Sequence, residues 1–433
     1  MPTGRPVPAW RWVPSLYFVQ GLPYVVVVIL SSVMLKNLGL SNTDVALYTS
    51  WLYLPWVIKP LWSPLVDLLG RKRVWIVASQ ALLGVGLGSV ALTLPLASGW
   101  QISLGLFWLV ALASATHDIA ADGFYLLALV PGQQSAWVGV RSTFYRLAMI
   151  AGQGGLIYLA GRWQVAGGGD AAAMVRAWQG VMALLAVLLA ASAWHAWALP
   201  RPVADAPAPQ TSLMTGFAQV LVAFFRQPDL GRILAFLLLY RLAEAQLLKL
   251  VVPFLLDARG AGGLALSTSE VGLAYGTVGV AALTLGGLAG GWVIARVGLG
   301  RALWPLMLCM HGPIVVFVVL ARWQPTGLAW VSAALALEQF GYGFGFAAYM
   351  VFMLWVASRH DNPHQTAHYA LCTGIMALGM MLPGMWAGAL QAWLGYPTFF
   401  AWMCVAALPS FGAAWAVRIP AEFGRRSDTQ QTR

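Results

Sequence analysis

Apolar residues run along this chain in long blocks, and polar residues are confined to the short stretches between them. Blocks of roughly 20 apolar residues recur over the whole length, each long enough to cross a hydrocarbon layer about 30 Å thick as a helix. The pattern predicts spans at 12–35, 44–66, 74–95, 102–128, 136–160 and 177–199, then at 231–256, 270–294, 302–320, 327–356, 366–388 and 397–417. A membrane β-barrel would instead need alternating segments of about 10 residues, a pattern this chain does not carry. The expected fold class is an all-α membrane protein with twelve transmembrane helices. Trp12–Leu35 is too long and too rich in Gly, Pro and Tyr for a cleavable signal core, and no small-x-small site follows it, so it reads as the first span. Between the two sets of six, Arg201, Pro202, Pro207 and Pro209 open a polar linker, and Thr211–Phe225 has the pattern of an amphipathic surface helix. The expected division is a six-helix half at 1–199, a cytoplasmic linker at 200–230 and a second half with a short tail at 231–433.

Composition agrees with this pattern. The chain is 60% hydrophobic and 9% charged, where soluble domains run near 25% charged. A net charge of +11 raises the question of nucleic acid, but the basic residues are scattered over short loops, which topology explains and DNA binding does not. With the N-terminus inside, fifteen of the 25 basic residues fall in segments on the cytoplasmic side, five on the opposite side and five within spans. The positive-inside rule then makes both termini cytoplasmic. Cys309, Cys372 and Cys404 lie in apolar spans without metal spacing and read as small buried hydrophobes.

The two halves echo each other. Leu40-Ser41-Asn42-Thr43-Asp44 opens the second span and Leu266-Ser267-Thr268-Ser269-Glu270 the eighth, each with the Ser-x-x-acid pattern of a capping box. The following loops, Asp67-Leu68-Leu69-Gly70-Arg71-Lys72-Arg73 and Ala295-Arg296-Val297-Gly298-Leu299-Gly300-Arg301, are related too. Parallel repeats about the membrane normal are the architecture of major facilitators.

The stretch Ser63-Pro64-Leu65-Val66-Asp67-Leu68-Leu69-Gly70-Arg71-Lys72-Arg73 resembles the facilitator signature between spans two and three, with Ser63 in place of its usual first Gly. More narrowly, the first half resembles the AmpG-type muropeptide permeases. The residues that carry this are Gly21-Leu22-Pro23, Leu54-Pro55-Trp56, Lys59-Pro60-Leu61-Trp62-Ser63-Pro64, Gln80, His117-Asp118-Ile119-Ala120-Ala121-Asp122 and Tyr145-Arg146-Leu147-Ala148-Met149. The resemblance implies a secondary carrier of the group that also holds siderophore permeases and acetyl-coenzyme A transporters, with Asp67, Gly70, Arg71, Lys72 and Arg73 locking helix ends as the halves rock. Where those permeases continue Ala-Tyr-Arg after the second aspartate, this chain has Gly123-Phe124-Tyr125, and its second half matches only loosely.

A charge at mid-bilayer costs about 2.5–3.5 kcal/mol on insertion scales, so each intramembrane charge needs a partner or a task. Lys59, Arg141, Arg146, Arg241 and Lys249 lie within spans, with Asp118, Asp122, Glu244 and Glu338. Asp118 and Asp122 share one helix face near Arg141 and Arg146, which fits either a titratable coupling pair or a structural ion-pair gate. Arg241 and Glu244 are spaced to pair across one turn. A cavity lined by Lys59, Arg146, Arg241 and Lys249 favours an anionic solute. Glu338, four residues before Tyr342, fits a proton site or a hydrogen-bonded structural acid; Gly341, Gly343 and Gly345 follow it and invite close helix approach. Tyr17, Gly21 and Tyr24 share a face of span one beside Gln20, suited to a sugar or peptide or simply to packing, with a bend at Pro23. His360, His364 and His368 are spaced by four, but Asn362-Pro363 puts them in a loop, and no metal site is expected.

No phosphate-cradling loop of the Gly-x-x-x-x-Gly-Lys type appears, so a proton gradient is the expected driver, with sodium as the alternative. Asp-x-x-x-Asp on a membrane helix also occurs in metal-dependent prenyl transfer, but a second acidic cluster is lacking. The reading is a proton-coupled importer of an anionic sugar- or peptide-type solute, an anhydromuropeptide first, a siderophore or other organic anion or drug second. It is expected to need no cofactor, no metal and no nucleic-acid partner, and to work as a multi-pass monomer in the lipid bilayer of the bacterial inner membrane.

Overall fold

The computed structural model describes residues 8–68, 71–129, 131–200, 213–359 and 365–425. They are helical almost throughout, with no strand among them. Among the described residues, eight helices are long and apolar enough to cross a membrane. The remaining spans are helices that the backbone interrupts. Span 2 comprises Asn42–Trp51 and Leu54–Leu68, span 5 comprises Pro131–Met149, Ile150–Leu156 and Ile157–Ala166, and span 7 comprises Leu230–Leu239 and Leu242–Leu256. Spans 11 and 12 merge in Gln365–Ala406, broken at Gly395, whose φ of 71° only glycine adopts freely. Spans 1, 3, 4 and 6 are Ala9–Asn37, Lys72–Thr93, Gly99–Ala128 and Ala171–Ala198; spans 8, 9 and 10 are Thr268–Val297, Leu299–Trp323 and Leu328–Ser358. The twelve spans read from the sequence are present.

Local chemistry explains the starts and stops. At span 8, Ser267 and Glu270 form the full reciprocal box: the Ser267 amide donates to the carboxylate at 2.8 Å and the Glu270 amide to the Ser267 hydroxyl at 3.3 Å. At span 2 the Asp44 amide donates to Ser41 at 3.1 Å, but the shorter Asp carboxylate takes the Ser41 hydroxyl at 2.6 Å and not its backbone amide. The two halves therefore share one capping device, executed fully only in the second. After span 8 the chain turns at Gly298, with φ of 86°, and the Leu299 amide donates to the Phe423 carbonyl at 2.7 Å.

Contacts divide the chain into two compact units, 1–39 with 58–217, and 40–57 with 218–433. The first half of span 2, within 40–57, is packed in the second unit. In the first unit Trp12, Tyr17, Phe124 and Tyr125 form the core, Trp12 and Phe124 edge to face at 5.3 Å. In the second, Phe236, Tyr240, Tyr349 and Phe352 stack, with Phe236 and Phe352 at 4.0 Å. Leu92, Trp197, Trp393 and Trp415 are about 80% exposed, an apolar surface that suits lipid and not water.

Glycine sets the approach of spans 8, 9 and 10, as Gly341, Gly343 and Gly345 foretold. A side chain at Gly343 would strike the backbone of Leu283 and Gly287, and one at Gly341 would meet Pro313. The helix Leu213–Phe225 follows the expected amphipathic stretch, whose opening residues lie outside the described ones. Two expectations are corrected. Cys309 is exposed and Cys404 half-buried, so only Cys372 is a buried hydrophobe, because the first two face outward from their helices. His368 lies within the helix and not in a loop: its Nε2 donates to the Val220 carbonyl at 3.3 Å, which leaves Nδ1 to accept from Gln227 at 3.0 Å. It thereby ties the linker helix to span 11. His360 and His364 lie outside the described residues.

Gly343→Val should therefore lower the thermal midpoint of the purified protein by several degrees or prevent its recovery, since backbone blocks the added atoms. Gly291→Ala on the same helix pair, where nothing lies within 4 Å, should leave the midpoint unchanged in the same thermal-shift assay.

Candidate functional site

The first unit gathers its intramembrane charges on spans 1, 2, 4 and 5. Spacing by four puts Asp118 and Asp122 on one face of span 4, and the structure gives each a cation. Arg141 Nη2 lies 2.8 Å from Asp122 Oδ1, and Lys59 Nζ lies 3.7 Å from Asp118 Oδ2. Tyr17 also donates to Asp122 Oδ1 at 3.4 Å. The Arg141 guanidinium sits 4.5 Å above the Tyr17 ring and 5.4 Å above Tyr125, the two rings meeting edge to face at 5.8 Å. Cation, aromatic faces and carboxylate thus form one cluster, and Asp122 and Arg141 stay partly exposed, at 42% and 31%.

Arg141 of span 5 thus holds its guanidinium over Tyr125 of span 4 as well as over Tyr17 of span 1. A Cβ at Gly123 would fall 2.4 Å from Lys72 Cε, the far end of a flexible stem that lies across it. Of the loop motif, Arg71 caps span 3, and Lys72 and Arg73 occupy its first turn; the Asp67 side chain and Gly70 lie outside the described residues. Gly21 packs on span 5, where a Cβ would fall 2.8 Å from Ala148 Cβ, so the face shared by Tyr17, Gly21 and Tyr24 is partly a helix contact. Gln20 is buried, and Tyr24 and Arg146 are half-buried.

In the second unit, span 7 breaks at Tyr240, and Arg241 has a non-helical backbone with φ of −110° and ψ of 19°. The expected pairing of Arg241 with Glu244 does not form for this reason. Arg241 instead donates to the Tyr342 hydroxyl, and its guanidinium lies 4.9 Å above Phe346 and 5.3 Å above Tyr342. Glu244 is fully buried, and neither of its carboxylate oxygens has a hydrogen-bond partner. Glu338 is also fully buried; one oxygen accepts from Gln339 at 2.8 Å and the other has no partner. The two carboxylates interact electrostatically, and Tyr275 lies within the field of both. Lys249, 4% exposed, donates to Thr49 at 3.0 Å and lies 4.8 Å above Tyr53.

Sequence reasoning missed a buried polar chain in the first unit. Ser15 donates to the Trp12 carbonyl at 3.2 Å, so it accepts from His195 Nε2 at 3.0 Å. His195 Nδ1 then accepts from the Gln80 amide at 3.1 Å, which donates also to His117 Nε2 at 3.0 Å. One proton arrangement satisfies the chain, with two neutral histidines joining spans 1, 3, 4 and 6. Its signals were His117 and Gln80, both within motif stretches; His195, among tryptophans at a span end, offered none.

The model of the Major Facilitator Superfamily matches residues 15–379. The chain belongs to that superfamily. This facilitator is 28% identical over 379 residues to the anhydromuropeptide permease of Escherichia coli strain K12, covering 86% of this chain and 72% of the permease. It is 23% identical to a putative transporter, AmpG 4, of Rickettsia felis, over 91% of this chain and 93% of that one. Among solved structures it resembles a nucleoside transporter at a TM-score of 0.69 and 14% identity, over 93% of this chain and 97% of the other. It resembles a D-xylose-proton symporter at 0.69 and 12%, over 96% and 99%. These establish a facilitator fold and a multi-pass membrane transporter of small-molecule solutes, not an enzyme.

Replacing Glu244 or Glu338 by Gln preserves shape and removes a carboxylate that must otherwise be buried. The melting temperature of either variant should hold or rise. A fall of several degrees would show the carboxylate to be a structural partner.

Proposed function

We propose that this facilitator imports an anionic sugar- or peptide-type solute together with protons, with an anhydromuropeptide as the first solute to test. The observation that carries the reading is an arginine planted on aromatic rings within a membrane span of the second unit: Arg241 lies over Tyr342 and Phe346, while in the first unit Arg141 lies over Tyr17 and Tyr125 and is paired with Asp122. A guanidinium held by rings keeps its charge and its fork of donors for a carboxylate or phosphate, and the rings offer faces to a sugar. The likeness to the Escherichia coli anhydromuropeptide permease supports the choice of solute. Lys59, Arg146 and Lys249 extend the cationic set, and Gln20 and Tyr24 add polar contacts. Binding energy realised differently in outward- and inward-facing states supplies the coupling.

The carboxylates Asp118, Asp122, Glu244 and Glu338 are the groups through which protons act on this reading. The basic asymmetry of the loops favours a bacterial inner-membrane protein with cytoplasmic termini, and a monomer suffices because one chain holds both repeats.

Asp118→Asn and Asp122→Asn should each abolish accumulation against a gradient while leaving solute counterflow intact, because an amide keeps the shape but does not carry a proton. Loss of both activities together makes the pair a gate alone, and full accumulation in both variants removes the aspartates from coupling.

Uptake into proteoliposomes at acidic outside pH tests the solute. A labelled anhydromuropeptide should be accumulated and an uncharged analogue should not. Equal handling of the two defeats the anion argument, and uptake of a ferric siderophore alone replaces the muropeptide with the siderophore reading.

A further inference from the structure

In a twelve-span chain, spans 8, 10 and 12 all end on the face where the chain itself ends, and each bears a tryptophan within its last two turns: Trp292, Trp355 and Trp415. Tryptophans at span ends mark the headgroup level of a bilayer. Trp292 and Trp415 are 57% and 81% exposed, whereas Trp355 is buried and the Arg359 guanidinium lies 4.8 Å above its ring.

Beyond span 12 the chain is held on this face. Residues 417–425 run across the turn between spans 8 and 9, and the Leu299 amide donates to the Phe423 carbonyl at 2.7 Å. A side chain at Gly298 or Gly300 would strike the backbone of residues 419–422, and Gly424, with φ of 79°, lies against Ile294 and Val351. Glu422 is met by Arg301 at 3.5 Å and by Arg425 at 3.1 Å. This fixed course sets Arg418, Ile419 and Pro420 against the end of span 10, where with Trp355 and Arg359 they line an open pocket of about 540 Å³.

Two guanidiniums therefore line one pocket, and the neighbouring carboxylates do not neutralise them. Asp229 lies 2.8 Å from Arg232 and 3.9 Å from Arg359, so it answers chiefly the first. Glu422 is already shared by two other arginines. Arg418 is exposed, and among the described residues it has neither a hydrogen bond nor an ion pair. Like charges set around one concavity focus a positive field there, which an anion relieves. Guanidinium forks match phosphate oxygens in pairs. Ile419, Pro420 and the Trp355 indole add an apolar wall beside the forks. A soluble anion has no use for that wall, but a lipid, which carries its phosphate directly above its acyl chains, does.

The geometry points to this pocket being a binding site for the phosphate of an anionic phospholipid, with Arg359 and Arg418 on its oxygens and Ile419 and Pro420 against the glycerol. Basic pockets at the ends of membrane helices hold such headgroups. The inference depends on the facilitator fold and not on the proposed solute.

Delipidated protein in detergent, titrated with phosphatidylglycerol, tests it; native mass spectrometry counts bound lipid and a thermal-shift assay reads the midpoint. Phosphatidylglycerol should bind and raise the midpoint. Phosphatidylcholine, whose phosphate is balanced by an ammonium, should bind several-fold more weakly. Arg418→Ala should keep the lipid-free midpoint and weaken phosphatidylglycerol binding about fivefold, the effect of one basic residue at an anionic surface. Arg418→Lys, which keeps the charge and loses the fork, should fall between parent and alanine variant. Arg322→Ala removes an exposed charge at the opposite end of span 9 and should change nothing. Parent affinity in both Arg418 variants overturns the proposal. An equal loss in Arg322→Ala also overturns it, since net charge alone would then attract the lipid. Equal binding of the two lipids removes the anion selectivity on which the proposal stands. If inorganic phosphate at the same concentration raises the midpoint as much as the lipid does, and Arg418→Ala abolishes that rise, the pocket serves a soluble anion and the lipid assignment falls.

Discussion

A charge placed in hydrocarbon must be matched by a partner, a polarisable face or a proton, and the arrangement of this chain follows from how each intramembrane charge meets that demand. Lys59 and Arg141 are met by aspartates. Arg241 is met by a phenol and two ring faces, and Lys249 by a threonine hydroxyl and a ring. Aromatic partners have a consequence that carboxylate partners lack. A ring stabilises a cation without cancelling its charge, so the field of Arg241 and Lys249 persists where that of an ion pair collapses to a dipole. A binding surface for anions can be made in this way from few cations.

The backbone has to break its own rules to deliver these groups. Arg241 reaches Tyr342 because span 7 is interrupted just before it, and Lys249 reaches Thr49 because Gly384 admits its stem. Span 2 restarts at Leu54, next to Pro55, which has no amide hydrogen to extend the preceding helix. In lipid an interrupted helix exposes backbone groups that water does not satisfy, so such breaks persist only where the surrounding protein covers them. The interruptions and the charges thus occupy the same spans for a common reason.

This explains what was legible beforehand. Twelve spans, the capping serines and the glycine approach of span 10 follow from short-range pattern, and the structure shows them all. Helical spacing put Asp118 and Asp122 on one face and Arg141 near them, but it gave no sign of Lys59 as the partner of Asp118. The pairing of Arg241 with Glu244 was misjudged because i,i+3 spacing assumes an unbroken helix, and nothing between Leu239 and Leu242 spells a break. Neither His195 with Gln80 nor Asn42 with Asp257 could be read at all: these residues are 115 and 215 positions apart, and their bonds exist only after folding.

The two units also differ in how much freedom they leave their acids. A proton arriving at Asp122 competes with Arg141 and Tyr17 for the same oxygen, and Asp118 already faces Lys59. Either event must weaken an ion pair that holds two spans together, so its effect is mechanical first. A proton arriving at Glu244 displaces no hydrogen-bond donor, and at Glu338 it finds one oxygen without a partner. Its effect there is to change charge beside Arg241, which is held by Tyr342 and Phe346. Two units of one chain therefore place carboxylates in two different physical situations, one in which a proton weakens an ion pair between spans and the other in which it alters the field around an arginine held by aromatic rings.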